Sequence, residues 1–402
     1  MSSPADEAAA RLAIASDWPM TAEPVPKPSV RAKGSSLMHG SRPHSAPASR
    51  KTIEPIQQLR GIAALGVVIF HSLSQINGES VISPYARLGA AGVDLFFVIS
   101  GFIMWVTAAA RDQSPVRFAL KRLVRIVPLY WLVTTFVVVI VLLAPKLMRS
   151  ATFDPAHVIA SYAFVAWPHP KFDGRFWPLV IPGWTLNYEM PFYAIVTLSL
   201  LLRRNFRPWM IAAVLLGAVL LGLLLHPQSL LAFYTAPILL EFLFGIALGM
   251  LYMNGVALRQ PVAWILLAAA LLLFLAIGPH CTTLNRPVTW GLPMASLVLA
   301  AINLNGFAPR KLLLSLGDAS YSIYLSQFCI IAPCARLLGP LTESLGVPRL
   351  PATSVLVLFT AAVGIVVYRA VERPFTEGLR QAIRSAPRMH RLHAFAVKRV
   401  SS

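Results

Sequence analysis

The chain has 402 residues, of which 56% are hydrophobic and 13% are charged. Its apolar residues form runs close to 20 residues long, which match the hydrocarbon thickness of a bilayer and exclude an ordinary soluble globular protein. The 35 basic and 16 acidic residues give a formal charge of +19, which we assign to cytoplasmic loops and tails of a membrane protein rather than to binding of nucleic acid.

Residues 1–52 differ in composition from everything that follows. They are rich in Ala, Ser and Pro, contain no apolar core of a signal peptide, and carry too few apolar residues to bury a core. We therefore predict a disordered cytoplasmic arm over residues 1–52. A transmembrane domain over residues 53–376 and a basic cytoplasmic tail over residues 377–402 are expected to follow it.

The apolar runs predict an all-α polytopic membrane protein with about ten transmembrane helices. Lys and Arg concentrate in alternate connecting segments, so the positive-inside rule places both termini in the cytoplasm. No internal repeat is visible, which argues against a transporter built from two duplicated halves. The predicted spans are residues 59–76, 92–110, 127–144, 184–202, 209–225, 233–253, 262–278, 288–303, 319–338 and 353–371.

One predicted outward segment, residues 145–183, is unusually long and is rich in Trp, Phe and Pro. Segments of this length are more often functional or interfacial than simple connectors. The part from His157 to Val165 has the composition of a short helix lying on the membrane. Two interpretations stay open: an aromatic anchor at the membrane interface, or a cover over a substrate site.

The first predicted span carries two ionisable residues, Arg60 and His71, with no polar residue between them. Eleven residues on an α-helix make three turns plus about 20°, so the two side chains share one face and lie roughly 16 Å apart. Arg60 is then expected at the inner surface and His71 beyond the midplane. Ionisable groups inside membrane spans are costly and usually mark a transport pathway or a catalytic site.

Two carboxylates are expected near His71 in the outer half of the membrane. Asp94 falls in the first turn of the second span, and Glu189 falls between one and two turns into the fourth. Either could orient the imidazole ring and stabilise its charged form, as an acid does in a serine hydrolase. A buried structural network of the same three residues is the simpler alternative. Glu241 is a further intramembrane acid to which no partner can be assigned.

Basic residues at the inner surface, Lys121, Arg122 and Arg125, are expected level with Arg60. They are either ordinary anchors that reach to lipid headgroups or a binding site for phosphates, which suit the fixed fork of a guanidinium. Cations at one surface and a histidine base about 16 Å away fit an acyl-coenzyme A. Its phosphates would lie at the arginines, its pantetheine arm would run along the span, and its thioester would reach His71.

Six blocks of sequence, taken together, resemble the acyltransferase-3 family of bacterial membrane O-acyltransferases. An arginine followed by ten residues and a histidine is the characteristic motif of that family, and it falls on Arg60 and His71. The resemblance covers about residues 53–376 and is greatest to exopolysaccharide acetyltransferases. The blocks, in chain order, are "QQLRGIAALGVVIFH", "GAAGVDLFFVISGFIMW", "RLVRIVPLYW", "PGWTLNYEMPFYA", "LGDASYSIYLSQ" and "AVERPF".

The resemblance implies that Arg60 and His71 are essential, and that acetyl-coenzyme A is a co-substrate rather than a permanently bound cofactor. It also implies an acceptor hydroxyl on an exopolysaccharide, O-antigen or lipid-linked oligosaccharide, a bacterial inner membrane location, and polysaccharide-assembly proteins as partners. Ser100 and Gly101 are expected to give close helix packing or a contact to the acyl donor. Many relatives have histidine where this chain has Gln327, which puts a proton-transfer role there in doubt.

Two functions outside the acyltransferase class stay open. One is a transporter of acyl groups or lipid-linked sugars in which His71, Asp94 and Glu189 relay protons. The other is a structural or regulatory membrane subunit in which the polar groups only pack helices. The cysteines, at positions 281, 329 and 334, show no metal-like spacing, so we predict neither a disulfide framework nor a metal site.

Overall fold

The computed structural model describes residues 53–77, 83–109, 113–148, 150–304, 310–344 and 348–385. The predicted arm over residues 1–52 and both termini lie outside these ranges. Over the described ranges the chain is helical and contains no strand. The predicted all-α membrane class is therefore confirmed.

Fourteen α-helices are present in the described part of the chain, and we number them in order. They are α1 (Glu54–Asn77), α2 (Gly92–Met104), α3 (Pro115–Leu143), α4 (Pro155–Tyr162), α5 (Leu186–Ser199), α6 (Arg207–Leu225), α7 (Leu230–Tyr234), α8 (Leu240–Met253), α9 (Gln260–Ile277), α10 (Leu292–Asn303), α11 (Arg310–Asp318), α12 (Ser320–Ser344), α13 (Arg349–Val367) and α14 (Arg373–Ser385).

Every predicted span contains one of these helices. Eight helical stretches in the described ranges are long and apolar enough to cross a membrane. The other two predicted spans contain shorter helices, Leu186–Ser199 and Pro287–Asn303. Short 3-10 helices, Ala86–Ala91 and Ile181–Thr185, lead directly into α2 and α5. Both spans therefore begin several residues earlier than the apolar pattern predicts.

Helices α2 and α8 pack backbone against backbone at two glycines. A Cβ atom added at Gly101 would lie 2.1 Å from the carbonyl oxygen of Phe242, and one added at Gly245 would lie 2.0 Å from that of Val98. Small residues permit such close approach between membrane helices. Close helix packing, one of the two interpretations given for Ser100 and Gly101, is thus seen at Gly101.

We expect Gly101→Ala to lower the yield of folded protein and the midpoint of thermal unfolding, because the added methyl group collides with the backbone of α8. Gly217→Ala is the matched control, since a Cβ at Gly217 of α6 meets nothing within 4 Å and alanine favours a helix. Thermal unfolding in detergent, followed by fluorescence-detected size exclusion, measures both variants. Equal midpoints would contradict the proposed contact.

The long segment over residues 145–183 folds on itself. Its helix α4 is capped by Asp154, whose side chain accepts a hydrogen bond from the backbone N–H of His157. The His157 imidazole Nε2 lies 2.8 Å from the carbonyl oxygen of Trp177, and the ring centroids of His157 and His169 are 5.2 Å apart. The predicted short helix is present, although it ends at Tyr162 rather than at Val165.

His169 should make this segment sensitive to acid. Burial, together with the nearby charges of His157 and Lys171, lowers the pKa of His169 from its usual 6.5 to about 4. Below pH 6.5 the unfolded chain therefore binds more protons, so the stabilisation is complete above that pH and is lost as the pH falls towards 4. We expect the unfolding midpoint to fall more steeply over this range in wild type than in His169→Gln. Parallel pH profiles would contradict this assignment.

Candidate active site

Helix α1 carries both members of the arginine and histidine motif. It runs unbroken from Glu54 to Asn77, so Arg60 and His71 lie about 16 Å apart along one helix face. Arg60 is 7% exposed and donates a hydrogen bond to Ser320 Oγ at 2.9 Å. His71 is half-buried and makes no hydrogen bond or ion pair with any residue in the described ranges.

Asp94 forms an ion pair with Arg286, a residue to which the sequence analysis assigned no role. Its two carboxylate oxygens accept hydrogen bonds from Nε and Nη2 of Arg286, at 2.7 and 2.8 Å. The Arg286 guanidinium also lies 5.9 Å from the ring of Trp184 and 4.9 Å from that of Trp290. A bidentate pair fixed between two indoles is a rigid arrangement.

Asp94 also lies much deeper than His71. Gly92, two residues before it, packs against the backbone of Ala63 on α1, because an added Cβ would lie 2.3 Å from the Ala63 carbonyl oxygen. His71 is eight residues beyond Ala63, which corresponds to about 12 Å along the helix. The structure therefore does not bring Asp94 and His71 together.

Glu189 is likewise engaged away from His71. One of its carboxylate oxygens accepts a hydrogen bond from Ser100 Oγ at 3.2 Å and a second from the Tyr193 hydroxyl. The Arg122 guanidinium lies 6.0 Å from the Tyr193 ring, and its Nη2 donates to Thr107 Oγ1 at 3.3 Å. The expected meeting of His71, Asp94 and Glu189 is thus not seen in the described part of the chain.

The three predicted arginines lie near one another at the Arg60 end of α1. Arg60 experiences the charges of Arg125, Glu372, Asp318 and Glu189, and Arg125 also acts on Arg122. Three guanidinium groups and three carboxylates therefore gather around the first two turns of α1. We call this set the arginine cluster: Arg60, Arg122, Arg125, Glu189, Asp318 and Glu372.

Three π-helical stretches lie where polar side chains enter the bundle. Trp105–Ala109 presents Thr107 to Arg122, and Pro287–Gly291 directly follows Arg286. The third stretch, Tyr368–Glu372, ends with Glu372, whose carboxylate accepts a hydrogen bond from the Ser322 hydroxyl at 2.6 Å. Such π-bulges occur frequently at functional sites, because one extra residue in a turn re-aims the side chains that follow.

Several residues of the candidate site were not predicted from the sequence. Tyr193 stands four residues after Glu189, a spacing at which helix side chains meet, so this pair carried a usable signal. Glu372 lies in the block "AVERPF", which carried the family resemblance but was given no role. Arg286 had no local signal, because it lies 192 residues from Asp94. Only the tertiary fold brings that pair together.

Comparison with known proteins gives a consistent result. The family model for an acyltransferase domain, acyltransferase-3, matches residues 54–369. The chain is 39% identical over 294 residues to the exopolysaccharide production protein ExoZ of Rhizobium meliloti, covering 71% of this chain and 89% of that protein.

Two further relatives carry acyltransferase names. The acyltransferase MdmB of Streptomyces mycarofaciens is 28% identical over 82% of this chain and 93% of its own length. The peptidoglycan O-acetyltransferase OatA of Listeria monocytogenes is 27% identical over 44% of this chain and 28% of its own length. No solved structure matches the chain significantly.

Proposed function

This chain belongs to the acyltransferase-3 family and is a multi-pass membrane O-acetyltransferase, and we propose that it acetylates a cell-surface glycan at the bacterial inner membrane. The donor in this proposal is cytoplasmic acetyl-coenzyme A, and the acceptor is a hydroxyl of an exopolysaccharide. The observation that carries the proposal is the placement of Arg60 and His71 on one helix, about 16 Å apart. Arg60 belongs to the arginine cluster, and His71 has no hydrogen-bond partner among the described residues.

The arginine cluster suits the phosphates of the donor. One buried N–H group of Arg122, Nε, has no acceptor among the described residues. It can therefore donate a hydrogen bond to a phosphate of the donor. Glu189 and Glu372 offset part of the positive charge. A simple lipid anchor would extend its side chain towards headgroups, whereas Arg60 is 7% exposed. Ser100 also lies at the arginine cluster, because its hydroxyl donates a hydrogen bond to Glu189.

His71 suits the role of general base. In the proposed step its imidazole removes the proton from the acceptor hydroxyl while that oxygen attacks the thioester carbonyl. The ester C–O bond forms, the C–S bond breaks, and the departing coenzyme A thiolate takes up the proton. Because no carboxylate of the described residues contacts His71, this proposal gives Asp94 and Glu189 no part in orienting the ring.

The names of relatives support the choice of acceptor. ExoZ is named for exopolysaccharide production, and OatA for O-acetylation of peptidoglycan. Both names refer to a glycan, and a glycan carries hydroxyl groups that can be acylated. Polysaccharide-assembly proteins are the expected neighbours of an enzyme that modifies such a chain.

Mass spectrometry of the host's surface polysaccharide tests the proposal. We expect an acetyl ester on one sugar of the wild-type polysaccharide, its absence in a strain lacking the gene, and its return on complementation. The position of the ester identifies the acceptor hydroxyl. If the deletion strain keeps every ester, the proposed acceptor is wrong.

A further inference from the structure

Arg286 is a partly exposed cation that is held in a fixed position. Its side chain is 21% exposed, whereas that of its partner Asp94 is fully buried. Nε and Nη2 of Arg286 both donate to Asp94, and the guanidinium lies near the rings of Trp184 and Trp290. The third nitrogen, Nη1, donates no hydrogen bond to any described residue. The ion pair therefore fixes the guanidinium and leaves one donor nitrogen for a ligand.

The position of Arg286 indicates the side from which a ligand would arrive. It ends the connection between α9 and the π-helical stretch Pro287–Gly291, a connection that the positive-inside rule places outside the membrane. In the same connection, the carbonyl oxygen of Gly278 accepts a hydrogen bond from the Trp290 indole. A Cβ added at Gly278 would lie 2.7 Å from Leu88, in the 3-10 helix that leads into α2. Arg286 thus belongs to the loops at the predicted outer end of the bundle.

Four aromatic rings lead from the long outer segment to Arg286. The ring centroid of Phe176 lies 6.5 Å from that of Phe233, and Phe233 stacks on Tyr188 at 4.1 Å. Tyr188 lies 5.9 Å from Trp184, which itself lies 5.9 Å from the Arg286 guanidinium. Phe176, Phe233 and Trp184 are half-buried, so part of each ring is accessible. These rings therefore form a partly exposed aromatic surface that ends at the free donor.

Aromatic rings beside a fixed donor suit a sugar. The C–H groups of a sugar ring pack on aromatic side chains, and its hydroxyl oxygens accept hydrogen bonds from a guanidinium. Two carboxyl groups, those of Asp94 and Glu241, lie close to the single cation of Arg286. The place therefore has no surplus positive charge with which to attract a phosphate or a lipid headgroup. A neutral hydroxyl fits Nη1 better than an anion does.

We propose that Arg286 and Trp184 form a subsite for a neutral sugar of the acceptor polysaccharide. Nη1 of Arg286 donates to a hydroxyl of that sugar, and the Trp184 indole packs against its ring. Asp94 is a positioning residue that fixes the guanidinium. This inference rests on the proposed function and gives its acceptor a place on the protein. Because Asp94 lies about 12 Å from His71 along α1, the bound sugar is a neighbour of the sugar that receives the acetyl group.

Two variants test the two parts of this subsite. Arg286→Lys keeps a cation for Asp94 but removes Nη1, so the KM for the polysaccharide should rise about 2- to 10-fold, the contribution of one hydrogen bond. Trp184→Leu removes the stacking surface and should raise the same KM about tenfold. The KM for acetyl-coenzyme A should not change in either variant. Trp209→Leu is the matched control, because its indole is 75% exposed near the start of α6, at the end predicted to face the cytoplasm.

Initial rates in nanodiscs give both KM values, with host polysaccharide freed of esters by mild alkali as the acceptor. Calorimetry with oligosaccharides cut from the same polysaccharide measures acceptor affinity in the absence of donor. A rise confined to the acceptor KM, with a matching loss of affinity, supports the inference. Unchanged acceptor KM values, a rise in the donor KM alone, or loss of folded protein in both variants overturns it.

The lipid composition of the nanodiscs distinguishes a sugar site from a lipid anchor. A loss of activity that depends on the anionic lipid content, and persists at saturating polysaccharide, would show that Trp184 and Arg286 contact lipid instead. Wild-type protein that binds the oligosaccharides but forms no ester would contradict the proposed function and leave the subsite in place.

Discussion

Replacing His71 with alanine should abolish ester formation while leaving donor binding nearly intact. The imidazole is the one base placed on the inner face of α1 beyond the arginine cluster, and general base catalysis contributes about 100- to 10,000-fold. We therefore expect transfer from acetyl-coenzyme A to the polysaccharide to fall by that factor. The retained affinity for coenzyme A, measured by calorimetry on the same sample, shows that the donor site is still formed.

The control for this variant is His226→Asn. His226 is exposed and has a left-handed backbone with φ of 44°, a conformation that asparagine tolerates well. It should transfer acetyl groups at the wild-type rate. If His71→Ala at matched membrane abundance restores the full ester content of the deletion strain, His71 is not the base. A structural role for α1 would then account better for its polar residues.

The helices could be predicted from the sequence because bilayer thickness imposes a run of apolar residues on each span. A helix that the apolar pattern does not predict has a physical explanation as well. Helix α11 carries no long apolar run, and it is ordered by packing on α1, where a Cβ at Gly317 would lie 1.9 Å from the carbonyl oxygen of Gln57. Such an amphipathic helix is visible only when its partner is known.

The candidate site was predicted in part, and its errors share one cause. Arg60 and His71 lie on one helix, so helix geometry alone relates them. Asp94 and Glu189 were assigned depths by counting from the start of each apolar run. The 3-10 helices at Ala86–Ala91 and Ile181–Thr185 extend both spans towards the loop end, so each carboxylate lies deeper than that count implies. The polar partners of the two carboxylates then follow from tertiary packing, which one sequence does not reveal.

The second large effect is expected at Arg60. Arg60→Gln should raise the KM for acetyl-coenzyme A about 10- to 100-fold, because a hydrogen bond between a buried cation and a phosphate contributes about 1.5–3 kcal/mol. The kcat should change less, since the scissile bond lies near His71. Initial rates in nanodiscs at varied donor concentration give both constants. Arg373→Gln, which removes a cation that is 38% exposed, should leave both constants unchanged.

A second donor, acetylpantetheine, carries the same thioester but no phosphate. Its use distinguishes a contact between Arg60 and the donor from an effect of Arg60 on the protein alone. Glu372 and Asp318 lose a neighbouring cation in Arg60→Gln, so a general disturbance of the cluster would slow the reaction with every donor. If Arg60 contacts a phosphate of the donor, replacing it should not affect the reaction with a donor that lacks phosphates. The difference in KM between wild type and Arg60→Gln should then disappear. A misfolded or loosened bundle would instead keep the same loss of activity with both donors.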